Sequence, residues 1–391
     1  MNRVILALFL LCMAWPAAAS AQQPNPYRED ALTLPTIVNE QYAYLDRLPG
    51  GMFQLTPKLR AEAEAVTDQR SLLAFAERAL FLLADHHAIT GSSFRDSWAL
   101  VPSYSDIWIE RRGGQYIVSA VREDSSAERG GVKPGAVVIS LGGKLVADAV
   151  ADFWSDLGIM QYDDEQAAYA ARVIGAGRRD RTREIEITNP DGRLLSLTLP
   201  SRYTFERQPQ PLQLVVEGSV ARIVLNDSLG NPDTIAAFDQ AMAKVGAKQT
   251  LVLDLRDTAS GGNTSVARAI MGWFVTKPTS YQVHQSPAEQ RQTGIARQWI
   301  EQVLPRTGKY RKGPVTVLVG RWTGSMGEGL AIGMKAIGAK VEGGPMAHLL
   351  GAIEDIRLPN TGFVFKIPTE RLFTVDGLPR EDFVPLPMGR K

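Results

Sequence analysis

A single cysteine, Cys12, occurs in 391 residues. It falls in a stretch that reads as a removable targeting peptide, with Arg3 as the positive start, Val4 to Trp15 as the apolar centre and Ala19-Ser20-Ala21 as a small-x-small cleavage site. Leu11, just ahead of the cysteine, is bulkier than the small residue a lipoprotein signal requires. With residues 1–21 removed, the chain from Gln22 has no thiol and so no disulfide. That suits a bacterial periplasm or secretion. No second apolar run approaches the roughly 18 residues that span a membrane, so the processed chain is expected to be soluble, without stable membrane insertion. An excess of one charge is also missing: 43 basic residues stand against 42 acidic ones, and nothing asks for nucleic acid or an acidic partner. The run Arg178, Arg179, Arg181 and Arg183, interleaved with Asp180 and Glu184, reads as a solvated loop and strand face.

The chain is longer than one hydrophobic core usually holds, and two or three domains are expected. Residues 22–103 read as a helical domain after a Pro-rich start. Leu72, Phe75, Ala76, Ala79, Leu80 and Leu83 share one helical face, which stops at Asp85-His86-His87-Ala88-Ile89-Thr90-Gly91. Histidine is scarce, with four in the chain, and adjacent histidines at a helix exit admit three readings: a metal site, a catalytic base, or capping of the last carbonyls. Metal is disfavoured because neighbouring side chains on a helix diverge by about 100°, and no H-x-x-x-H or cysteine partner is present.

Residues 104–202 change to short strands and turns: Ile107 to Glu110, Tyr116 to Val121, Ala136 to Leu141, Arg183 to Thr188 and Leu194 to Leu199, separated by Gly113-Gly114, Pro134-Gly135, Gly142-Gly143 and Asp191-Gly192. The run VSAVREDSSAERGGVKPGAVVISLGGKLV resembles a PDZ domain, although Ala136 stands where the usual aspartate follows Pro-Gly. The resemblance implies binding of an extended peptide as an added strand, often by its C-terminal carboxylate. A small β domain with no ligand is the other reading.

Residues 210–388 read as an α/β unit. Strands Val220 to Leu225, Thr250 to Leu255 and Val315 to Val319 alternate with helical patterns at Ile235, Phe238, Met242 and Val245, at Val266 to Phe274, and at Leu330, Met334 and Ile337. Such alternation predicts a parallel sheet with active groups at the strand C-terminal ends. A polar excursion through residues 276–312, including His284, carries no assigned role. Trp98, Trp108, Trp154, Trp273 and Trp322 form a groove or, as aromatic burial favours, core. Ser325 falls on the turn between the last strand and its helix. It is either an N-cap in an S-x-x-E capping box with Glu328 or a nucleophile placed where helix N–H groups can stabilise an oxyanion. The G-x-S-x-G elbow is absent, because Thr323 occupies its first glycine position. Gly261-Gly262, straight after a strand, admit a turn whose N–H groups face an anion, or a plain turn; the G-x-G-x-x-G order and a P-loop lysine are missing.

DLRDTASGGN, then VLVGRWTGSMGEGLA, then VDGLPREDFVP, with a PDZ-like stretch ahead of them, resemble the tail-specific (C-terminal processing) serine peptidases over nearly the whole mature chain. The family strings are D-L-R-x-N-x-G-G, T-x-S-A/G-x-E and E-G-x-G-V-x-P-D. The fold implied is multidomain α+β: an N-terminal helical segment, a PDZ-like β domain and a crotonase/Clp-protease-like α/β peptidase core. Many members use a Ser–Lys dyad with the lysine in a G-K-G-like turn, but here that region is Gly343-Gly344-Pro345-Met346-Ala347-His348-Leu349-Leu350-Gly351, without lysine. The branch similar to the tricorn core takes its base from an N-terminal D-x-H segment and a glutamate from the C-terminal segment. Asp85-His86-His87 matches D-x-H, and Glu381 falls near the late glutamate, in a string shorter than the family's.

The resemblance thus implies Ser325 as nucleophile, His87 as base and Glu381 on the far ring nitrogen, with Asp382 or Asp376 as substitutes for Glu381 and His348 as the reserve base. Imidazole, with an ordinary pKa near 6.5, can take the hydroxyl proton near neutral pH, and a carboxylate on its other nitrogen fixes the tautomer. The N–H groups of Gly262 and Met326 are the candidate oxyanion hole. The expectation is an exported serine endopeptidase acting on polypeptides, with no cofactor and no metal. The sequence sets no oligomeric state. A catalytically inactive peptide binder and a different crotonase-like enzyme are the alternatives.

Overall fold

The computed structural model describes residues 25–205 and 208–389; the expected targeting peptide, residues 1–21, lies outside the described residues. The described residues open with three α-helices: α1 (Pro26–Gln41), α2 (Pro57–Glu64) and α3 (Gln69–Leu80). Asp68 caps α3 by accepting from the Ser71 N–H at 2.8 Å, which satisfies one of the amides that a helix start leaves open. Leu72, Phe75, Ala76, Ala79 and Leu80 form its buried face. A left-handed residue, Ala84 (φ 46°), turns the chain out of the helical stretch into residues 85–88. The two-residue strand β1 (Ile89–Thr90) follows.

The second unit is a largely antiparallel sheet of β2 (Ile107–Arg112), β3 (Gln115–Val121), β4 (Ala136–Leu141), the short β5 (Lys144–Leu145), β6 (Arg183–Thr188) and β7 (Leu194–Leu199). Its order is β2-β3-β4-β6-β7, with β5 on β4. A four-residue helix, α4 (Ser126–Arg129), links β3 to β4. The expectation of only strands and turns here is corrected: α5 (Val146–Asp156) and α6 (Asp164–Ala176) lie between β5 and β6. Asp163 caps α6 on the Gln166 N–H. Its buried face is mostly alanine, so the apolar contrast that reveals a helix in sequence is weak. Small residues let α6 lie close against β2: a Cβ on Gly175 would fall 2.9 Å from Ile109 Cδ1. The basic run is not a solvated face throughout. Arg183 is buried and donates to Asp106 Oδ2 (2.7 Å) and Gly175 O (2.8 Å), and Arg179 is buried as well.

The third unit holds β8 (Leu212–Glu217), β9 (Val220–Leu225), α7 (Asp233–Lys244), β10 (Thr250–Asp254), α8 (Thr264–Met271), β11 (Thr279–Gln285), α9 (Pro287–Thr293), β12 (Gln298–Val303), β13 (Val315–Val319), α10 (Met326–Ala336), β14 (Lys340–Gly343), β15 (Ala352–Arg357) and β16 (Val364–Phe373). One sheet runs β14-β13-β10-β9-β8, parallel except for the β8–β9 hairpin. The other runs β1-β16-β11-β12 with β15 on β16. The polar excursion is thus a strand–helix–strand insertion. Its buried histidine is paired within the sheet: His284 bonds Glu370 at 2.7 Å and lies 3.4 Å from Glu301. Burial alone would lower the pKa of His284, yet the two carboxylates raise it to about 9.

The buried apolar residues do not divide along the chain. One cluster joins α1 and α3 to β2, β3, β4 and α6, and also to Phe365 and Ile367 of β16. A second fills the core sheet and its helices. A small third cluster, with Val101, Trp108, Ala176, Trp322 and Leu349 among its members, sits where the units meet the loops around Ser325.

Candidate active site

Ser325 stands at the C-terminal end of β13, where the chain turns into α10, with φ 49° and ψ −114°. A residue with a Cβ pays strain in that region, on the order of 1–3 kcal/mol. The neighbouring 256–263 loop holds the turn: Thr258 N–H donates to Trp322 O (2.9 Å) and Gly324 N–H to Thr258 O (3.2 Å). Gly261 (φ 69°) lies directly behind the nucleophile. A Cβ there would stand 2.4 Å from Ser325 Cβ and 3.1 Å from Met326 N, so this position admits only glycine.

His87 comes from the turn after α3. Its Nε2 lies 3.0 Å from Ser325 Oγ, and its Nδ1 lies 2.6 Å from Leu350 O. A carbonyl only accepts, so Nδ1 carries the hydrogen and the Nε2 lone pair faces the hydroxyl. Asp85 Oδ1 accepts the His87 main-chain N–H at 2.8 Å, and Tyr42 Oη donates to its other oxygen at 3.0 Å. Burial, with Arg380 adding to it, lowers the His87 pKa to about 4, keeping the ring neutral, while burial raises Asp85 to about 6.

The other expected groups fall differently. Glu381 makes no hydrogen bond to the His87 ring, whose Nδ1 is taken by the Leu350 carbonyl. The turn Arg380–Asp382 instead sends the Glu381 carboxylate toward Tyr44, whose pKa is raised by burial and then by Glu381, and Glu381 Oε2 is buried without a hydrogen-bond partner. Asp382 and Asp376 are not hydrogen-bond partners of the His87 ring either. His348 is not on Ser325; its ring Nδ1 bonds Glu381 O. The amides of Gly262 and Met326 have no acceptor among the described residues.

Two residues at the site were not assigned a role there from sequence. Glu328, considered only as a capping partner, is fully buried and accepts from Ser325 N–H (2.9 Å), His348 N–H (2.9 Å) and Leu349 N–H (3.2 Å). It therefore ties the nucleophile turn to the loop whose Leu350 carbonyl holds His87. Burial pushes its pKa up to about 7. Arg380, next to the expected glutamate, donates through Nη2 to Leu349 O (2.8 Å) and Gly351 O (2.7 Å), clamping the same loop. The S-x-x-E spacing was a signal for Glu328. For Arg380 the signal was its place in the VDGLPREDFVP ending.

Residues 219–382 match the model of peptidase family S41. Among solved structures, the chain is similar to the photosystem II D1 C-terminal processing protease, at 16% identity over 93% of both chains with a TM-score of 0.57. It is similar to mature CPAF at 13% identity over 93% of this chain and 92% of that one, TM-score 0.57. A putative peptidase from Parabacteroides merdae matches at 13% identity over 94% and 90%, TM-score 0.51. At these identities the likeness to solved structures is one of fold. No curated protein matches. With a serine on a strand-to-helix turn inside a matched peptidase core, the chain is a serine-type peptidase. The match to peptidase family S41 takes in Ser325 but not the segment of His87.

Proposed function

We propose that this chain is an exported serine endopeptidase that cuts polypeptides by acyl-enzyme chemistry at Ser325, with His87 as general base, in the manner of the Ser–His branch of its family. The observation that carries this reading is the 3.0 Å contact from His87 Nε2 to Ser325 Oγ with Nδ1–H on Leu350 O. His87 Nε2 takes the hydroxyl proton as Oγ attacks the scissile carbonyl carbon. The charge that develops on the carbonyl oxygen falls to the free amides of Gly262 and Met326, each such donor supplying about 2.7–4 kcal/mol in related chemistry. The protonated ring gives its proton to the leaving amine as the C–N bond breaks. Water, deprotonated by the same nitrogen, then releases the acid and restores the serine. No carboxylate bonds the His87 ring, and the Leu350 carbonyl orients it instead.

The targeting-peptide pattern supports export. The PDZ-like unit supports recognition near the substrate C-terminus, since β2 is an edge strand to which a peptide could be added. The D1 processing protease, a structural neighbour, is named for processing of that kind. The test is intact mass after exposure to a fluorophosphonate. One phosphonyl adduct on the wild type, lost in both Ser325→Ala and His87→Ala, is expected. A wild type that takes no label with or without a peptide pool overturns the reading, and label retained in His87→Ala removes His87 as base.

A further inference from the structure

We infer that Arg172, on α6 of the PDZ-like unit, is a positioning residue for the serine reaction: through His86 and Trp108 it fixes the orientation of His87. The inference rests on the proposed role of His87. Arg172 Nε donates to His86 Nε2 at 2.8 Å, and His86 precedes His87 in the chain. Its Nη1 donates to Ile109 O on β2 at 3.1 Å. Its guanidinium also lies over the Trp108 ring, 5.2 Å from the centroid. A guanidinium offers donors in a fixed plane, so these contacts set one position for the head group and, with it, one rotation for His86. The His86 ring is held further by stacking on Tyr169 at 4.5 Å.

The same Trp108 ring carries a second guanidinium. Arg321, four residues before Ser325, lies 5.0 Å from its centroid and donates through Nη1 to Met346 O at 2.8 Å. Met346 opens the stretch that ends in Leu350, the residue whose carbonyl holds His87 Nδ1. One indole of β2 therefore supports both sides of the His87 ring: its own segment through Arg172 and His86, and the loop on Nδ1 through Arg321. Trp108 is 3% exposed, so the bracket sits in the packed seam and not on a mobile surface. Burial of His86, and then the Arg172 charge, keeps the His86 ring neutral and able to accept the bond.

Arg172 also bears on how β2 can be used. Its bond to Ile109 O takes an acceptor on the edge strand, and α6 lies close against that strand. A peptide strand added there and seeking Ile109 O competes with Arg172, leaving the guanidinium on His86 and Trp108 alone.

The test compares wild type, Arg172→Met and Arg172→Lys, with folding of each checked by circular dichroism. In Arg172→Met, kcat on a peptide substrate is expected to fall about 10- to 100-fold, as a misplaced catalytic group does, with KM within about twofold. Arg172→Lys, which retains a donor for His86, is expected to recover part of that loss. Long-range nitrogen NMR of the four histidines supplies a readout independent of turnover. Wild-type His86 is expected as the Nδ1–H tautomer with Nε2 accepting, and in Arg172→Met both the His86 and His87 signals shift. Inactivity of the wild type would sink the proposed function, while the NMR arm would still decide the positioning role. Unmoved His87 signals in a folded Arg172→Met protein, unchanged kcat, or a loss confined to KM overturn the inference. If Arg172→Met does not fold, the decision passes to Arg172→Lys, where unshifted His86 and His87 signals together with wild-type kcat overturn it.

Discussion

Ser325 pays in backbone strain for its position. Its φ of 49° and ψ of −114° aim the hydroxyl at His87, and Gly261 packs so tightly behind it that the turn has nowhere to relax. Glycine has no Cβ penalty there, while alanine keeps it. Ser325→Gly is therefore expected to be more stable than Ser325→Ala by about 1 kcal/mol, read from denaturant midpoints, with both variants inert to fluorophosphonate. Equal midpoints would mean that the turn is unstrained. At this scale the sequence was informative about which residue types could react. Ser325 and His87 were singled out by a strand-to-helix turn and a D-x-H string, and the structure brings them within hydrogen-bond distance. It was uninformative about what holds the far side of His87, because a main-chain carbonyl such as that of Leu350 leaves no trace in residue identity.

Helix α10 and the loop at residues 346–350 are joined by one side chain. Glu328 offers two oxygens to three amides, an arrangement best satisfied by the carboxylate, yet burial opposes its charge and raises its pKa to about 7. Protonation introduces a hydrogen facing N–H donors and loosens the tie between Ser325 and the loop that holds His87. His87, neutral down to about 4, does not limit the reaction in that range. Activity is accordingly expected to fall as pH drops through about 7. Glu328→Gln is expected to lose that limb together with about 10- to 100-fold in kcat, as a pH–rate profile would show. Stability runs the opposite way. A carboxyl whose folded pKa exceeds its ordinary 4.5 favours the folded state at low pH, and this contribution is lost as pH rises from about 4.5 to 7. The stability difference between wild type and Glu328→Gln should shift against wild type over that window. A constant difference would place the Glu328 pKa elsewhere. Elements with strong periodicity, such as β4, β9 and β13, were readable to the residue; α6 was not, because alanine serves a buried helix face without announcing it.

Across the whole molecule the first helices and the last strands share a core, and a buried carboxylate joins them. Asp30 on α1 accepts from the N–H and Nδ2 of Asn360 (3.1 and 2.9 Å) and from the N–H of Thr361 (2.8 Å) and its hydroxyl (2.5 Å). Removing it leaves several donors without an acceptor. Asp30→Ala is expected to lose about 2–3 kcal/mol in equilibrium unfolding, and a change under about 0.5 kcal/mol would show that this clasp is incidental. The sequence by itself determined the strongly periodic elements, the parallel sheet of the peptidase core and the residues with the chemistry to react, because periodicity, turn residues and side-chain type are local properties. Tertiary structure decided that the Arg380 guanidinium and the Glu328 carboxylate, not the Glu381 carboxylate, hold the loop beside His87, and that the polar residues 276–312 form strands around a His284–Glu370 pair. Those outcomes depend on which distant groups meet in a space without water, where each buried donor or charge must find a partner, and spacing along one chain does not encode that meeting.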